Sequence, residues 1–415
     1  MPDVRRTIVI LGAGFGGIYA YLRLRARIDR TTTRIVIVNA TNHFLFSPLL
    51  HEAATGSLGL HNVVQGVREI IDGDCADLVQ ATVESIDISG HVVRTDRGPI
   101  GYDHLVIATG AHTDTMRVPG ITEHALFLKD LHDAQRLRER FIEQFECAGA
   151  AGASGVVQGA LRFVVVGGGP TGVELAAEMS DLLSTTFLRL YRRRIAPGDA
   201  EIVLVHAGER LLPQFDEHLS RAALATLRRK GVRVLLNTRV ARVQVDGVHV
   251  GGGSFLDAHT VIWVAGVCPR VPLAFPALPL HESGRIAVDE FLRVRGTDSV
   301  WALGDVAAAF DQNGTLLPMR AQVAVCEAEY CADNVVAAIA KRPLSAMQYE
   351  SRGDLVSLGR WSAVGRIAGI RWSGPSAWWL WRTVYLFNFA SWGKRLRIAV
   401  DWTVGLFAPR DITSV

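Results

Sequence analysis

The sequence predicts an α/β chain of two Rossmann-like dinucleotide-binding domains followed by a small C-terminal domain. Three observations carry that expectation. An apolar run at 7–11 ends in glycine, gives way to helical apolar spacing over 18–28, and is followed by a second apolar run at 35–38. The same strand, helix, strand grammar returns at 163–166, 173–183 and 202–205. From about residue 348 the pattern changes to short strand-like runs at 355–358 and 367–370 and then to a dense aromatic stretch.

Composition narrows the function classes. A chain of 415 residues is long enough for two or three domains, each with its own core. Its 49% hydrophobic and 20% charged residues exclude a disordered protein. Forty-four basic against 41 acidic residues leave +3, too slight for the electrostatic footprint of a nucleic-acid binder. Cys75, Cys147, Cys268, Cys326 and Cys331 lack C-x-x-C spacing, so neither a metal site nor a disulfide framework is expected, and a reducing cytoplasm fits. The opening MPDVRRTIVILGAGFGG imitates a signal peptide, but its short apolar stretch runs straight into glycines and reads as a first strand. No uncharged apolar run reaches the ~18 residues of a membrane-crossing helix, so any membrane contact is expected to be peripheral.

The Gly- and Ala-rich stretch 147–160 reads as a mobile loop at a domain boundary. The expected division is 1–115 and 291–340 for the first nucleotide-binding domain, 116–160 for a connecting helix and loop, 161–290 for the second, and 341–415 for the C-terminal domain.

Gly12, Gly14 and Gly17 form a G-x-G-x-x-G fingerprint, with Phe15 and Gly16 inside it. Such glycines allow a tight turn, close approach of backbone to a pyrophosphate and close helix packing, while the helix N-terminus holds the phosphate. Gly167, Gly169 and Gly172 repeat the pattern, with Pro170 and Thr171 between the last two. Two fingerprints in the right context imply two bound dinucleotides. The residue closing each second strand should be acidic to grip a ribose, yet here it is Asn39, followed by Ala40, and His206. Asn39 still offers a hydrogen bond to a hydroxyl. Without a carboxylate at His206 the choice between NADH and NADPH stays open, and Arg210 lies close enough in sequence to meet a 2′-phosphate. Two more strand ends, at 105–110 with Ala108, Thr109 and Gly110 and at 261–266 with Ala265 and Gly266, stop at small residues as where backbone passes a cofactor. In VWALGDVA, Gly304 and Asp305 place a carboxylate at the end of an apolar strand, where it could accept from a polyol.

Taken in order, GAGFGG, NHFLFSPLLHEAATG, YDHLVIATG, VVVGGGPTGVELAAE, WVAG, ALGDVA and AQVA resemble the type II NADH dehydrogenases, single-chain NADH:quinone oxidoreductases of the glutathione-reductase-like fold, across nearly the whole chain. That resemblance implies FAD contacts at the first fingerprint, Asn39, Pro48, Val83, Thr109, Gly110, Asp305 and Gln322, the last followed by Val323. It implies nicotinamide contacts at the second fingerprint and at Glu174, whose family counterpart also handles a proton. In the family's A-Q-x-A-x-Q pattern the final glutamine faces the quinone, and here Cys326 stands in its place. Arg352 corresponds approximately to a basic residue near the family's quinone entrance. Residues 377–397 resemble a membrane-anchoring helix, with Trp378, Trp381, Tyr385, Phe389 and Trp392 expected on one face and Lys394, Arg395 and Arg397 beside it.

The function expected is therefore hydride transfer from NADH or NADPH to FAD, with electrons passed on to a menaquinone- or ubiquinone-type acceptor and no proton pumping. Glu174 and Gln322 are the expected catalytic residues, and no metal is involved. The expected location is cytoplasmic, peripheral on the inner face of the cell membrane, with a homodimer left open. Disulfide reductases share the fold but need a close cysteine pair, and 39–56 contains none. A sulfide:quinone oxidoreductase using Cys268 and Cys326, a quinone reductase outside respiration, and a flavin-based sensor are the alternatives.

Overall fold

Five parallel strands build the first sheet, in the order Val300–Ala302, His104–Ile107, Arg6–Leu11, Thr33–Asn39, Ala76–Gln80. Ile8, Val9, Ile10 and Leu11 are wholly buried. This is why the central strand reads as an unbroken apolar run and does not alternate: helices and loops cover both faces of a parallel sheet. The structure is a computed structural model that describes residues 5–151, 157, 159–196, 198–387, 392–406, 408, 410, 412 and 413. Its described residues fall into two units: Met1–Leu45, Val64–His112 and Val267–Glu350 form the first, and Phe46–Val63, Thr113–Gly266 and Ser351–Val415 the second.

The second unit contains a sheet of the same design, ordered Ala125–Phe127, Thr260–Trp263, Arg162–Val166, Glu201–Val205, Arg233–Leu235, again all parallel. In both sheets the fingerprint strand is central and the strand order reverses beside it. In open parallel sheets of this kind a ligand binds at that switch point, outside the carboxyl ends of the strands. The edges differ, since the first sheet adds a late strand, Val300–Ala302, and the second an early one, Ala125–Phe127.

Smaller antiparallel sheets complete each unit. Val83–Asp87, Val92–Thr95 and Gly98–Gly101 form a meander in the first. In the second, Val240, Val243, Val248 and Val250 of another meander pack into one core with Val164, Val203 and Trp263. The C-terminal part of the second unit is a three-stranded antiparallel sheet, Gly353–Ser357, Ala363–Ile367 and Ile370–Gly374, followed by helices Pro375–Phe387 and Trp392–Val404.

Three sequence expectations are corrected here. The run 367–370 is not a strand but the tip of a hairpin: Ala368 (φ 49°) and Gly369 (φ 79°) make a left-handed two-residue turn and Ile367 pairs with Ile370. The stretch 147–160 is not loop from its start, because helix Leu131–Ala151 continues through its alanines, the strongest helix formers; residues 152–156 and 158 lie outside the described residues.

The third correction concerns the aromatic stretch, helical over Pro375–Phe387 and Trp392–Val404, whose expected outward face is largely interior. Trp378 and Trp381 are 1% and 0% exposed. Trp381 lies against Trp402, ring centroids 6.1 Å apart, and the Arg382 guanidinium sits 3.9 Å from the Trp378 ring and 4.7 Å from that of Trp402. Burying large rings against a cation stabilises more than exposing them. Trp392, in contrast, is 76% exposed, and Phe389 lies outside the described residues. No described helix is long and apolar enough to cross a membrane.

Candidate functional site

The first fingerprint loop is held by three glycines with three different duties. Gly12 has φ +103°, and a Cβ on it would lie 2.3 Å from the Ala108 carbonyl oxygen. A Cβ on Gly17 would lie 1.9 Å from the Gly12 oxygen, so helix Phe15–Arg25 can pack this closely only without one. A Cβ on Gly14 would meet nothing within 4 Å. Gly14 is the N-cap of that helix, has no side chain with which to cap it, and no acidic residue follows in the first turn. The loop is thus an open cradle at a helix N-terminus that no side chain caps, which suits a pyrophosphate and fits a bound dinucleotide.

The second loop repeats this construction. Gly167 has φ +128° and backs onto Ala265, a Cβ on Gly172 would lie 1.8 Å from the Gly167 oxygen, and a Cβ on Gly169 would meet nothing within 4 Å. Helix Pro170–Leu182 again starts without a side-chain cap or an acidic first turn. Pro170 and Thr171 are exposed at its start. Strand ends Ala108 and Ala265, read from the sequence as backbone beside a cofactor, are thus the surfaces against which the first glycine of each loop turns.

Around the first loop, Asn39 Oδ1 accepts from the Ala13 N–H at 3.0 Å and its amide donates to the Thr41 carbonyl at 2.9 Å. The side chain that replaces the usual carboxylate therefore braces the loop itself; Ala40, next in sequence, is exposed. Thr109 Oγ1 donates to the Arg270 carbonyl at 2.6 Å, and Gly110 takes φ +68°. Gln322, in the first turn of helix Ala321–Ile339, accepts from the Tyr349 hydroxyl at 3.2 Å, and Val323 behind it is buried. Val83 opens the small meander and is half-buried. Pro48 belongs to the second unit, in a 3-10 turn at Ser47–Leu49.

Gly304 and Asp305 begin a short turn after strand Val300–Ala302, and the Gly304 N–H donates to the carboxyl of Glu327. Glu327 is only 1% exposed. Burial, aided by nearby Asp305, pushes it up to about 8 despite that hydrogen bond and Arg285. Cys326 beside it donates to the Gln348 carbonyl, Sγ to oxygen 3.6 Å. Cys268 is half-buried in the first unit.

In the second unit His206 closes strand Glu201–Val205, and its Nδ1 accepts from the Gly168 N–H at 3.2 Å. Burial lowers its pKa, opposed by a hydrogen bond that the ring donates to the Arg210 backbone, so the ring beside the loop is neutral. The Arg210 guanidinium donates to the Pro213 carbonyl at 3.2 Å. Ala265 and Gly266 follow strand Thr260–Trp263, and Arg352 is exposed.

Glu174 lies in the second turn of the second fingerprint helix. It is buried, accepts from the Ser357 N–H at 3.1 Å, and lies 3.7 Å from His51 Nδ1. Burial holds its carboxyl well above the usual range, with Glu52 and Glu178 adding to the effect. Glu178, one turn on, is also buried. Desolvation pushes it up, but Arg410 at 2.7 Å, His51, Ser57 at 2.8 Å and Lys230 outweigh this and hold it ionised. Burial drives the His51 pKa down to about 4 against the attraction of Glu178. Glu52 is pushed up to about 7, first by burial and then by Glu178, although the Trp402 indole N–H donates to it at 2.6 Å. Sequence reasoning found Glu174 but missed His51, Glu52 and Glu178. Only the i, i+4 spacing of Glu174 and Glu178 could have flagged any of them.

Among the described residues no cluster of three or more His, Cys, Asp or Glu side chains suits a metal ion.

Comparison with known proteins agrees with this geometry. Residues 6–328 match the family model for pyridine nucleotide-disulphide oxidoreductases, and residues 352–411 match that for the NDH2 C-terminal domain. A demethylphylloquinone reductase of Synechocystis sp. is 32% identical over 412 residues, 97% of this chain and 96% of the relative. A type II NADH:quinone oxidoreductase of Haemophilus influenzae is 30% identical, covering 87% of each chain. Among solved structures, NDH2 from Plasmodium falciparum in complex with NADH shares the fold with a TM-score of 0.89 at 21% identity, over 99% of this chain and 100% of that one.

Proposed function

The chain belongs to the type II NADH dehydrogenase family, and we propose that it passes a hydride from NAD(P)H to FAD and the electrons on to a quinone. The single observation that carries this is the pair of identically built glycine loops, each with an open middle glycine at an uncapped helix N-terminus. Two such cradles in one chain fit two dinucleotides, one resident and one exchanging.

FAD supplies the two-electron acceptor when bound; the protein's part is to place and protonate. On this reading 1–115 and 291–340 hold FAD, 161–290 bind the nicotinamide nucleotide, 341–415 face quinone and membrane, and 116–160 connect them. The Gly12–Gly17 loop holds the FAD pyrophosphate, with Asn39, Ala40, Pro48, Val83, Ala108, Thr109, Gly110, Asp305, Gln322 and Val323 as further contacts. The Gly167–Gly172 loop, His206, Ala265 and Gly266 take the nicotinamide nucleotide. Glu174, whose burial favours the protonated carboxyl, gives and takes a proton, and Gln322 positions the acceptor. Cys326 and Arg352 are further proposed quinone contacts.

Peripheral membrane association follows a different face from the one read in sequence. Trp392, Leu396, Val400 and Val404 recur every fourth residue of helix Trp392–Val404 and are all exposed. Four large apolar side chains in one exposed stripe mark an interaction surface, and Arg397 beside it is also exposed. This stripe is proposed to lie in the surface of the inner face of the cell membrane.

Stopped-flow reduction of the flavin by NADH and NADPH, followed by reoxidation with menaquinone and ubiquinone analogues, tests the reading. Rapid bleaching and quinone-dependent recovery are expected. A flavin that NAD(P)H reduces but no quinone reoxidises would sink it.

A further inference from the structure

Glu174 and Glu178 stand one turn apart on the same face of helix Pro170–Leu182, both buried, and the His51 imidazole faces them from helix Leu50–Ala54. His51 Nδ1 is 3.7 Å from Glu174 Oε2. Its Nε2 is buried and has no hydrogen-bond partner among the described residues. The ring therefore has one nitrogen toward the Glu174 carboxyl and another that is buried and without a partner among the described residues. The groups around it come from four places: Glu174 and Glu178 from the fingerprint helix, Glu52 from its own helix, the Trp381 ring 6.0 Å away, and Arg410 near the C-terminus. Two neighbouring carboxyls that their surroundings push in opposite directions, Glu174 up and Glu178 down, are the usual mark of a donor and acceptor pair.

The reaction requires such a path. NAD(P)H delivers two electrons and one proton as hydride, whereas converting a quinone to a quinol takes two electrons and two protons. Each turnover must draw one proton from solvent, and a buried Glu174 that gives one up must be recharged. We propose that His51 is the relay that recharges Glu174, taking up at Nε2 a proton drawn from solvent and passing one on from Nδ1, while Glu178, held by Ser57 and Arg410, faces the ring as a fixed anion. In this step the Nδ1–H bond breaks as the Glu174 O–H bond forms, Nε2 takes up the replacement proton, and the tautomers re-equilibrate between turnovers. No electrons move. Glu178, kept ionised by Arg410 and Ser57, stabilises the transient imidazolium. His51 acts through Glu174 and is a positioning and relay residue; the proposal rests on the reading of Glu174 as the proton donor.

The test uses the FAD-loaded enzyme and His51→Gln. Hydride transfer from NADH, which takes no proton from solvent, is expected to keep its rate within about twofold, while reoxidation by a soluble quinone slows about tenfold or more with a larger solvent deuterium isotope effect. Infrared spectroscopy provides a readout independent of turnover: the carbonyl stretch of protonated Glu174 should persist but exchange to deuterium more slowly than in the wild type. Glu178→Gln, which keeps an oxygen for Ser57 and Arg410, should give the same pattern if His51→Gln does not fold. Unchanged reoxidation with unchanged exchange overturns the relay, as does equal slowing of both half-reactions without a changed isotope effect. Undiminished reoxidation in Glu174→Gln overturns instead the assignment of Glu174 itself.

Discussion

The N–H of Gly168, inside the second glycine loop, donates to Nδ1 of His206 at the end of the next strand, 3.2 Å away. That bond fixes the tautomer with the proton on Nε2 and keeps the ring neutral, since burial also disfavours the cation. A neutral imidazole can donate to a ribose hydroxyl but has no charge with which to repel a 2′-phosphate. His206→Asp is expected to shift the ratio of kcat/KM for NADH over NADPH upward by about tenfold, roughly 1.4 kcal/mol. The change should appear mainly as a raised KM for NADPH. An unaltered ratio would show that the ribose is read elsewhere.

Glu327 makes stability depend on pH in a direction opposite to the usual carboxylate. Its folded-state pKa of about 8 lies above the 4.5 of the free group. The folded state therefore holds the extra proton, and the resulting stabilisation is complete below pH 4.5 and lost as pH rises through 8. The slope across that window is about 1.4 kcal/mol per pH unit at most. Glu327→Gln still accepts from the Gly304 N–H and carries no proton to lose. Its melting temperature should gain on that of the wild type as pH is raised from about 6 to about 8. A constant gap across this range would mean that Glu327 is not protonated in the fold.

What the sequence revealed and what it hid divide along a physical line. The parallel strands were legible because burial on both faces writes continuous apolar runs, as in 7–11 and 163–166, and the loops because only glycine fits the positive φ of Gly12 and Gly167. The C-terminal helices were misread because a helical period says which residues share a face but not which way that face points. Trp378 and Trp381 share one side of their helix as expected, yet it is the inward side, covered by Trp402 and His51. His51 and Glu52 were hidden for another reason. Their environment comes from residues far off in sequence, Glu52 and Trp402 being 350 positions apart, and no local pattern records that Trp402 donates to Glu52 or that Arg410 reaches Glu178.

The middle and last glycines of each loop make opposite demands on substitution. A Cβ at Gly14 meets nothing in the protein, whereas one at Gly172 would sit 1.8 Å from the Gly167 oxygen. Gly14→Ala is expected to fold with a melting temperature near that of the wild-type apoprotein and to lose FAD affinity, because the methyl would fill the place proposed for the pyrophosphate. Gly172→Ala must push helix from strand and should cost about 1–3 kcal/mol or more of stability. Flavin titration and thermal denaturation of the two variants separate these effects. A Gly14→Ala protein that retains FAD with wild-type affinity would show that the pyrophosphate does not lie against this glycine.

Helix Trp392–Val404 turns Ile398 and Trp402 inward and leaves Trp392, Leu396, Val400 and Val404 outward. Arg395 stacks over Trp392, 5.0 Å to the ring centroid, so the cation shields part of that ring from water. The outward stripe gains most by leaving water for the acyl boundary of a bilayer, while the basic residues of the helix favour anionic headgroups. The double substitution Leu396→Glu with Val400→Glu touches exposed positions only, and so should leave melting temperature and NADH-driven flavin reduction unchanged. Binding to vesicles containing anionic lipid should fall by about tenfold or more, since two carboxylates would have to enter the interface beside anionic lipid. Replacing Lys394, Arg395 and Arg397 by glutamine should weaken binding only to anionic vesicles, and less at high salt. Co-sedimentation at two salt concentrations measures both effects. Full vesicle binding by the glutamate pair would remove this stripe as the membrane-facing surface.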